Sequence, residues 1–182
     1  MSRPPRARES VLDAFARILI AEGERAATMD ATAREAGVSK GGLLYHFASK
    51  EALVAGLIER METLAVDDTA RIVSDPEGPV AAFMRTSLNT GSPLDLAIVA
   101  VSRLAQNGHG QAIAALRRLR TTWEDAVRPD TRDETALQLV MLVSDGLYFN
   151  SALSSGSVPG PEPSDAELDA LIARVQDVTR PL

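Results

Sequence analysis

The sequence predicts an all-α protein of about nine helices, with a three-helix head at the N-terminus and a larger helical body after it. Three observations lead there. Residues 28–50, TMDATAREAGVSKGGLLYHFASK, read as two short helices joined by a tight turn and followed by a third, the layout by which a helix-turn-helix offers one helix to a DNA groove. From Val11 to Val175 apolar residues recur at spacings of three and four, and Pro, Gly and Ser/Thr punctuate the breaks. With four Phe, two Tyr and one Trp, the core must consist mainly of Ala, Leu, Val and Ile, which are compatible with helices.

Residues 2–8, SRPPRAR, form a basic tail in which two prolines should delay helix formation. Arg3, Arg6 and Arg8 can lie along a phosphate backbone or in a minor groove, or can simply solvate the terminus. A first helix is expected from about Glu9 to Glu22, with Val11, Leu12, Phe15, Ile18 and Leu19 on one face and Gly23 as its stop. It should pack behind the motif and complete the head.

Within the motif, Thr28 can cap the second helix by accepting from its first-turn amides. Ala33 and Ala36 are small enough for a close helix crossing, and Gly37 ends the helix where positive φ is needed. Val38 plugs the corner. Ser39 is a fitting N-cap for a third helix over residues 40–47, and Ser49 for the one after it. On that third helix Leu43, Leu44 and Phe47 read as apolar anchors, leaving Lys40, Gly41, Gly42, Tyr45 and His46 outward. Two adjacent glycines cost a free helix about 1 kcal/mol each relative to alanine. Either the pair lets the helix approach a sugar-phosphate backbone closely, or it merely loosens a short surface helix.

The run AGVSKGGLLYHFASKEAL, residues 36–53, resembles the DNA-binding signature of the tetracycline-repressor (TetR) family of bacterial transcription regulators, the match extending over about forty residues. One departure is visible, since Thr32 stands where the family pattern has an aliphatic residue before Ala33. The resemblance implies an all-helical homodimer with an effector pocket in its C-terminal part. It carries over Thr28, Ser39, Lys40, Gly41, Gly42, Tyr45, His46 and Lys50 as DNA contacts, with Tyr45 and Lys50 on phosphates and Lys40, Gly42 and His46 at or near base edges.

Lys50 should open a long connector helix, residues 50–73, on which Leu53, Leu57, Ile58, Met61, Leu64 and Ala65 form a stripe. This places a DNA-binding domain at residues 1–50 and an effector-binding and dimerisation domain at residues 51–182. DPEGP at 75–79 forbids a continuous helix, and Pro79 suits the start of the next, residues 80–89. Ser92 and Pro93 should open a helix to about Asn107, ended by Gly108-His109-Gly110. Residues 111–127 place Ile113, Leu116, Leu119, Trp123 and Val127 on one face. Thr131 and Glu134 have capping-box spacing for a helix to about Ser154, which is apolar nearly all round and so needs cover on both sides. Ser164 and Glu167 repeat that spacing for the last helix. Two final helices, residues 131–154 and 164–178, with more apolar face than one small domain covers, predict a homodimer.

Composition narrows the function. Hydrophobic residues at 45% and charged residues at 24% describe an ordinary globular chain. No cysteine is present, which excludes disulfides and thiolate metal sites and fits a reducing cytoplasm. No apolar run reaches membrane-spanning length, so a cytoplasmic protein is expected. The net charge of −6 divides unevenly: residues 1–50 hold eight Lys/Arg against six Asp/Glu, leaving the acidic excess to the remainder. That asymmetry places nucleic acid at the N-terminal end.

Phe83, Met84, Leu88, Leu104, Trp123, Met141, Tyr148 and Phe149 are the large apolar or amphipathic side chains of the body, and are either ordinary core or the lining of a cavity for a small, largely apolar effector. His109 with only His46 beside it and no Cys does not predict a metal site. No cofactor is expected, and Asp145, His109 and scattered serines make no catalytic constellation. The expected function is therefore a ligand-responsive repressor binding a palindromic operator DNA as a homodimer. An effector-independent architectural DNA-binding protein is the alternative.

Overall fold

The computed structural model describes residues 4–88, 91–153 and 163–181. Among these the regular elements are helices: α1 Pro4–Glu22, α2 Met29–Glu35, α3 Lys40–His46, α4 Lys50–Ser74, α5 Pro79–Thr86, α6 Pro93–Gln106, α7 Gly110–Val127, α8 Glu134–Leu153 and α9 Asp165–Thr179, with a 3-10 turn at Arg128–Asp130. No helix among the described residues is long and apolar enough to cross a membrane. The start of α1 lies earlier than the expected Glu9. Proline is tolerated in a first helical turn, where its missing N–H has no partner to lose.

The chain forms two compact units. One comprises Met1–Ala65 with Gly91–Arg118, the other Val66–Thr90 with Leu119–Leu182. The boundaries fall inside α4, between α5 and α6, and inside α7.

In the first unit α1 packs against α2, α3 and α6, so a helix expected to belong with the body stands beside the head. Val11, Leu12, Phe15 and Leu19 of α1, Leu43 of α3, Leu53, Leu57 and Met61 of α4, and Val101 and Leu104 of α6 are buried. Each such aliphatic or aromatic side chain contributes about 1.5–3 kcal/mol on leaving water. Thr32, the departure noted above, is fully buried, and its hydroxyl donates to the Thr28 carbonyl at 2.8 Å. A polar group thus sits in the core without an unsatisfied donor.

The second unit is built from α5, α8 and α9, each packed on the other two. Its core holds Ile72, Val80, Phe83, Met84, Val127, Leu137, Val140, Met141, Leu168, Ile172 and Val175. Arg85 of α5 donates to Asp169 of α9 at 2.7 Å and to Glu77 at 2.8 Å, and these two carboxylates raise its pKa further. Trp123 Nε1 donates to the buried Asp68 carboxylate at 3.3 Å, and the Phe83 ring leans on the indole with centroids 5.7 Å apart.

Most caps stand where expected. Thr28 accepts from Ala31 N–H, Ser39 from Gly42 N–H, Ser49 from Ala52 N–H and Ser92 from Asp95 N–H, and Ser164 N–H donates to Glu167. Positive φ at Gly37 and Gly78 makes the turns after α2 and before α5. The expected capping box of Thr131 and Glu134 does not form. Asp133 caps α8 instead, its carboxylate accepting from Ala136 N–H at 2.8 Å, while the Thr131 hydroxyl donates back to Arg128 O and Glu134 pairs with Arg128. The 3-10 turn at Arg128–Asp130 claims Thr131 before α8 begins. Within one chain Leu139, Leu142 and Phe149 of α8 are exposed, so α8 keeps more apolar face than this unit covers.

Replacing Asp133 by Ala should therefore lower stability by about 1 kcal/mol, and Thr131→Ala by much less. Chemical denaturation of both variants checks this; a larger loss for Thr131→Ala would contradict the cap.

Candidate nucleic-acid interface

The candidate interface is assembled from the start of α2, all of α3 and the start of α4. Leu43 is fully buried and fixes which side of α3 faces inward. At about 100° per residue, Gly41 and Tyr45 then lie close to the opposite side, with Leu44 and Gly42 flanking them and Lys40 and His46 nearer the core. Exposure follows that geometry. Tyr45 is 83% exposed, Gly41 and Gly42 are exposed, and His46 is half-buried with its ring edge-on to Tyr45 at 5.1 Å. Leu44, expected as an anchor, is 43% exposed, because Leu43 and Phe47 already fill the inward arc.

The two glycines have different reasons. A Cβ at Gly42 would stand 3.3 Å from Ser39 Oγ, crowding the hydroxyl that caps the helix through Gly42 N–H. A Cβ at Gly41 would meet nothing. The protein's own packing explains the first and leaves the second free.

The aim of α3 is set at its other end. Phe47, buried, ends the helix, and its ring lies so close to α4 that a Cβ at Gly56 would be 2.6 Å from Phe47 Cε1 and 3.5 Å from Leu12 Cδ2. The Arg8 guanidinium stands 5.5 Å from the centroid of the same ring. Gly56 was not singled out from the sequence, since a glycine in a helical stripe carries no sign of what approaches it.

Several expected contacts prove to be engaged within the unit. Arg8 pairs with Glu59 at 2.7 Å and Glu9 at 3.2 Å. Lys50 Nζ donates to the Glu24 carbonyl at 2.7 Å, in a polar hollow lined by Glu22, Gly23, Glu24, Arg25 and Asn107. Lys50 thus staples the start of α4 to the α1–α2 turn, and Asn107 at the end of α6 donates to the Glu24 carboxylate at 3.1 Å. Lys40 is exposed but paired with Asp30 at 2.9 Å. Thr28 and Ser39 are exposed beside their caps, each with a hydroxyl proton to donate. Arg3 lies outside the described residues, as does the Arg6 side chain. Beside Lys50 the Glu51 carboxyl is held below its ordinary range, first by its own backbone amide and then by Ser49.

The residues expected to line an effector cavity are not all brought together. Phe83, Met84 and Met141 are buried in the core of the second unit, with Leu88 and Trp123 packed partly buried against it. Tyr148 is half-buried, Phe149 is 59% exposed, and Leu104 belongs to the core of the first unit.

Residues 11–57 match the family profile described as bacterial regulatory proteins, tetR family, and residues 77–180 match the tetracyclin repressor-like C-terminal domain. Two HTH-type transcriptional regulators of Pseudomonas putida, SrpR and TtgW, are each 40% identical over 63 residues. That segment is 34% of this chain and spans 30% of SrpR and 47% of TtgW. Among solved structures, a γ-butyrolactone receptor described as ArpA-like superposes with a TM-score of 0.59 at 23% identity, covering 97% of this chain and 99% of the receptor.

Replacing Gly56 by Ala should cost about 1–3 kcal/mol through overpacking against Phe47. Gly41→Ala should instead stabilise the free protein by up to about 1 kcal/mol. Urea denaturation of the two variants measures both; a Gly56→Ala protein as stable as wild type would remove Phe47 as the aiming contact.

Proposed function

Because the chain belongs to the TetR family of bacterial transcription regulators, we propose that it is a ligand-responsive repressor which binds a palindromic operator as a homodimer and leaves it when a small, largely apolar effector binds. The observation that carries the DNA-binding part is the outward arc of α3. Tyr45 stands almost wholly in solvent, and Gly41 lacks a side chain for which the protein has ample room. An unused helix cost of this kind is accounted for if a duplex comes close at that point. Thr28, Ser39, Lys40, Gly42, Tyr45 and His46 are the other proposed contacts. Lys50 and Arg8 act on this reading by holding α4 and Phe47 in place, given their partners Glu24 and Glu59.

Dimerisation is supported by α8. Leu139, Leu142 and Phe149 fall at i, i+3 and i+10, with Gly146 completing the stripe at i+7, so a single chain leaves one apolar helix face in water. A second copy meeting it about a two-fold axis buries both faces at once. The operator follows from that symmetry: two half-sites about 34–36 Å apart, one for each α3.

The effector is assigned to the second unit, whose core gathers Phe83, Met84 and Met141 with the partly buried Leu88 and Trp123, and where half-buried Tyr148 and Asp68 with the Trp123 indole offer a polar handle. The γ-butyrolactone receptor of similar fold is named for a small ligand of mixed polarity, which agrees with that class. Release requires only that the effector bind one arrangement of the dimer better than the other. A differential of about 1–3 kcal/mol changes operator affinity about 5–150-fold. α4, which begins at α3 and continues into the second unit, is the element proposed to carry the change.

Selection of duplexes from a randomised pool tests the whole reading. A symmetric site of two half-sites is expected, and a protein that retains no sequence, or only an unsymmetrical one, would exclude it. Leu142→Arg should yield a monomer in sedimentation and lose at least about tenfold in operator affinity, because one α3 alone makes too few contacts. Gly41→Ala, though more stable, should bind the selected site more weakly; unchanged affinity would end the close-approach argument. A thermal-shift screen with small apolar metabolites should show ligand-dependent stabilisation, which an architectural protein without an effector would lack.

A further inference from the structure

We infer that Leu44 is a specificity-determining residue of α3, reading the C5-methyl group of one thymine in each operator half-site. The inference rests on the DNA-binding reading of α3 and adds a contact which the sequence alone had assigned to the core. Leu44 is 43% exposed, on the flank of α3 next to the outward Gly41, which is also exposed. Leu43 and Phe47, each under 5% exposed, fill the inward side, so Leu44 is not needed to seal the helix onto the unit.

An isobutyl group neither donates nor accepts a hydrogen bond. It gains nothing from a phosphate oxygen or from the nitrogen and oxygen atoms on base edges. In the major groove the apolar feature presented by an unmodified base pair is the thymine methyl, and contact with it distinguishes T·A from the other pairs. A leucine in a helix leans back over the turn before its own Cα, here Lys40 and Gly41. Gly41 presents no side chain there, and a Cβ built on it would touch nothing. Leu44 and the bare backbone of Gly41 therefore leave a shallow apolar notch with room for a methyl group. Tyr45, next in sequence and far more exposed, borders it on the other side. The arrangement assigns different work to neighbouring residues: hydroxyls and amides fix the position of α3, and Leu44 distinguishes thymine.

Deoxyuridine keeps every hydrogen bond of thymine and lacks only the methyl group, so it isolates this contact. With the full-length protein and the duplex it selects, each thymine is replaced in turn by deoxyuridine and affinity is measured at fixed salt for wild type, Leu44→Ala and Leu44→Gln. One thymine in each half-site should stand out. Its replacement should weaken wild-type binding about 4-fold, and replacement in both half-sites about 15-fold, the value of one buried methyl-sized group at each. Leu44→Ala should lose that sensitivity, and Leu44→Gln should move the preferred base toward adenine, which glutamine can pair with twice. If Leu44→Ala is as sensitive as wild type, or no thymine is sensitive in wild type, the inference is wrong while the DNA-binding reading stands. If wild type selects no duplex, the DNA-binding reading falls and takes this inference with it. The deoxyuridine series on wild-type protein decides the point even if Leu44→Ala folds poorly.

Discussion

The close approach of the Phe47 ring to the bare backbone of Gly56 is the contact on which the head depends. α3 has seven residues and one fully buried side chain, too little to hold a direction by itself. Phe47 gives it a second point of attachment, and Leu12 of α1 reaches the same point of α4, 3.5 Å from where a Cβ on Gly56 would stand. α3 and α1 thus both meet α4 at Gly56. Any movement of α4 at Gly56 must be felt at α3, because a ring in van der Waals contact on several sides cannot yield without a neighbour yielding too.

Around that contact the charges sort into two groups. Arg60, with its side chain 14% exposed, pairs with Asp13 at 2.6 Å and Glu9 at 3.3 Å, joining α4 to α1. Lys50 and Arg8 are likewise turned to partners inside the unit. The more exposed of these pairs, such as Arg8 with Glu59, are worth little in stability, about 0–1 kcal/mol. Their effect lies in geometry: each fixes where the start or flank of α4 stands relative to α1. On the proposed DNA-binding reading, the contacts left to α3 and its caps are hydroxyls, amides, Tyr45 and Lys40. An interface of that composition relies on position more than on net charge, in keeping with the nearly balanced charge of residues 1–50.

The second unit shows the same dependence on distant partners. Gly78, with φ +93, begins α5 without a side chain to cap it, and Asp130 supplies the missing acceptor for Val80 N–H at 3.3 Å. Arg85 joins α5 to α9, and Arg132 N–H donates to the Thr179 carbonyl at 2.8 Å, tying the segment before α8 to the end of α9. Among the described residues α8 receives cover on one side only. Its remaining apolar stripe is what supports the proposed pairing with a second copy.

The order of the helices, the caps at Thr28, Ser39, Ser49, Ser92 and Ser164, and the stops at Gly23, Gly37, Gly78 and Gly108 were all legible in the chain itself. Each rests on hydrogen bonds or φ values confined to a few neighbouring residues, so spacing in sequence is also spacing in space. The family signature was legible for the same reason, lying within one short run. What only the tertiary structure decided was which partner each side chain met: Asp133 rather than Thr131 at α8, Asp130 across fifty residues at α5, Glu24 for Lys50, α6 beside α1, and Leu44 turned to solvent while Leu43 and Phe47 turned in. The pattern along one helix determines that it has an apolar face. It does not determine which rival anchor wins the inward arc, because that depends on the room left by helices distant in the chain.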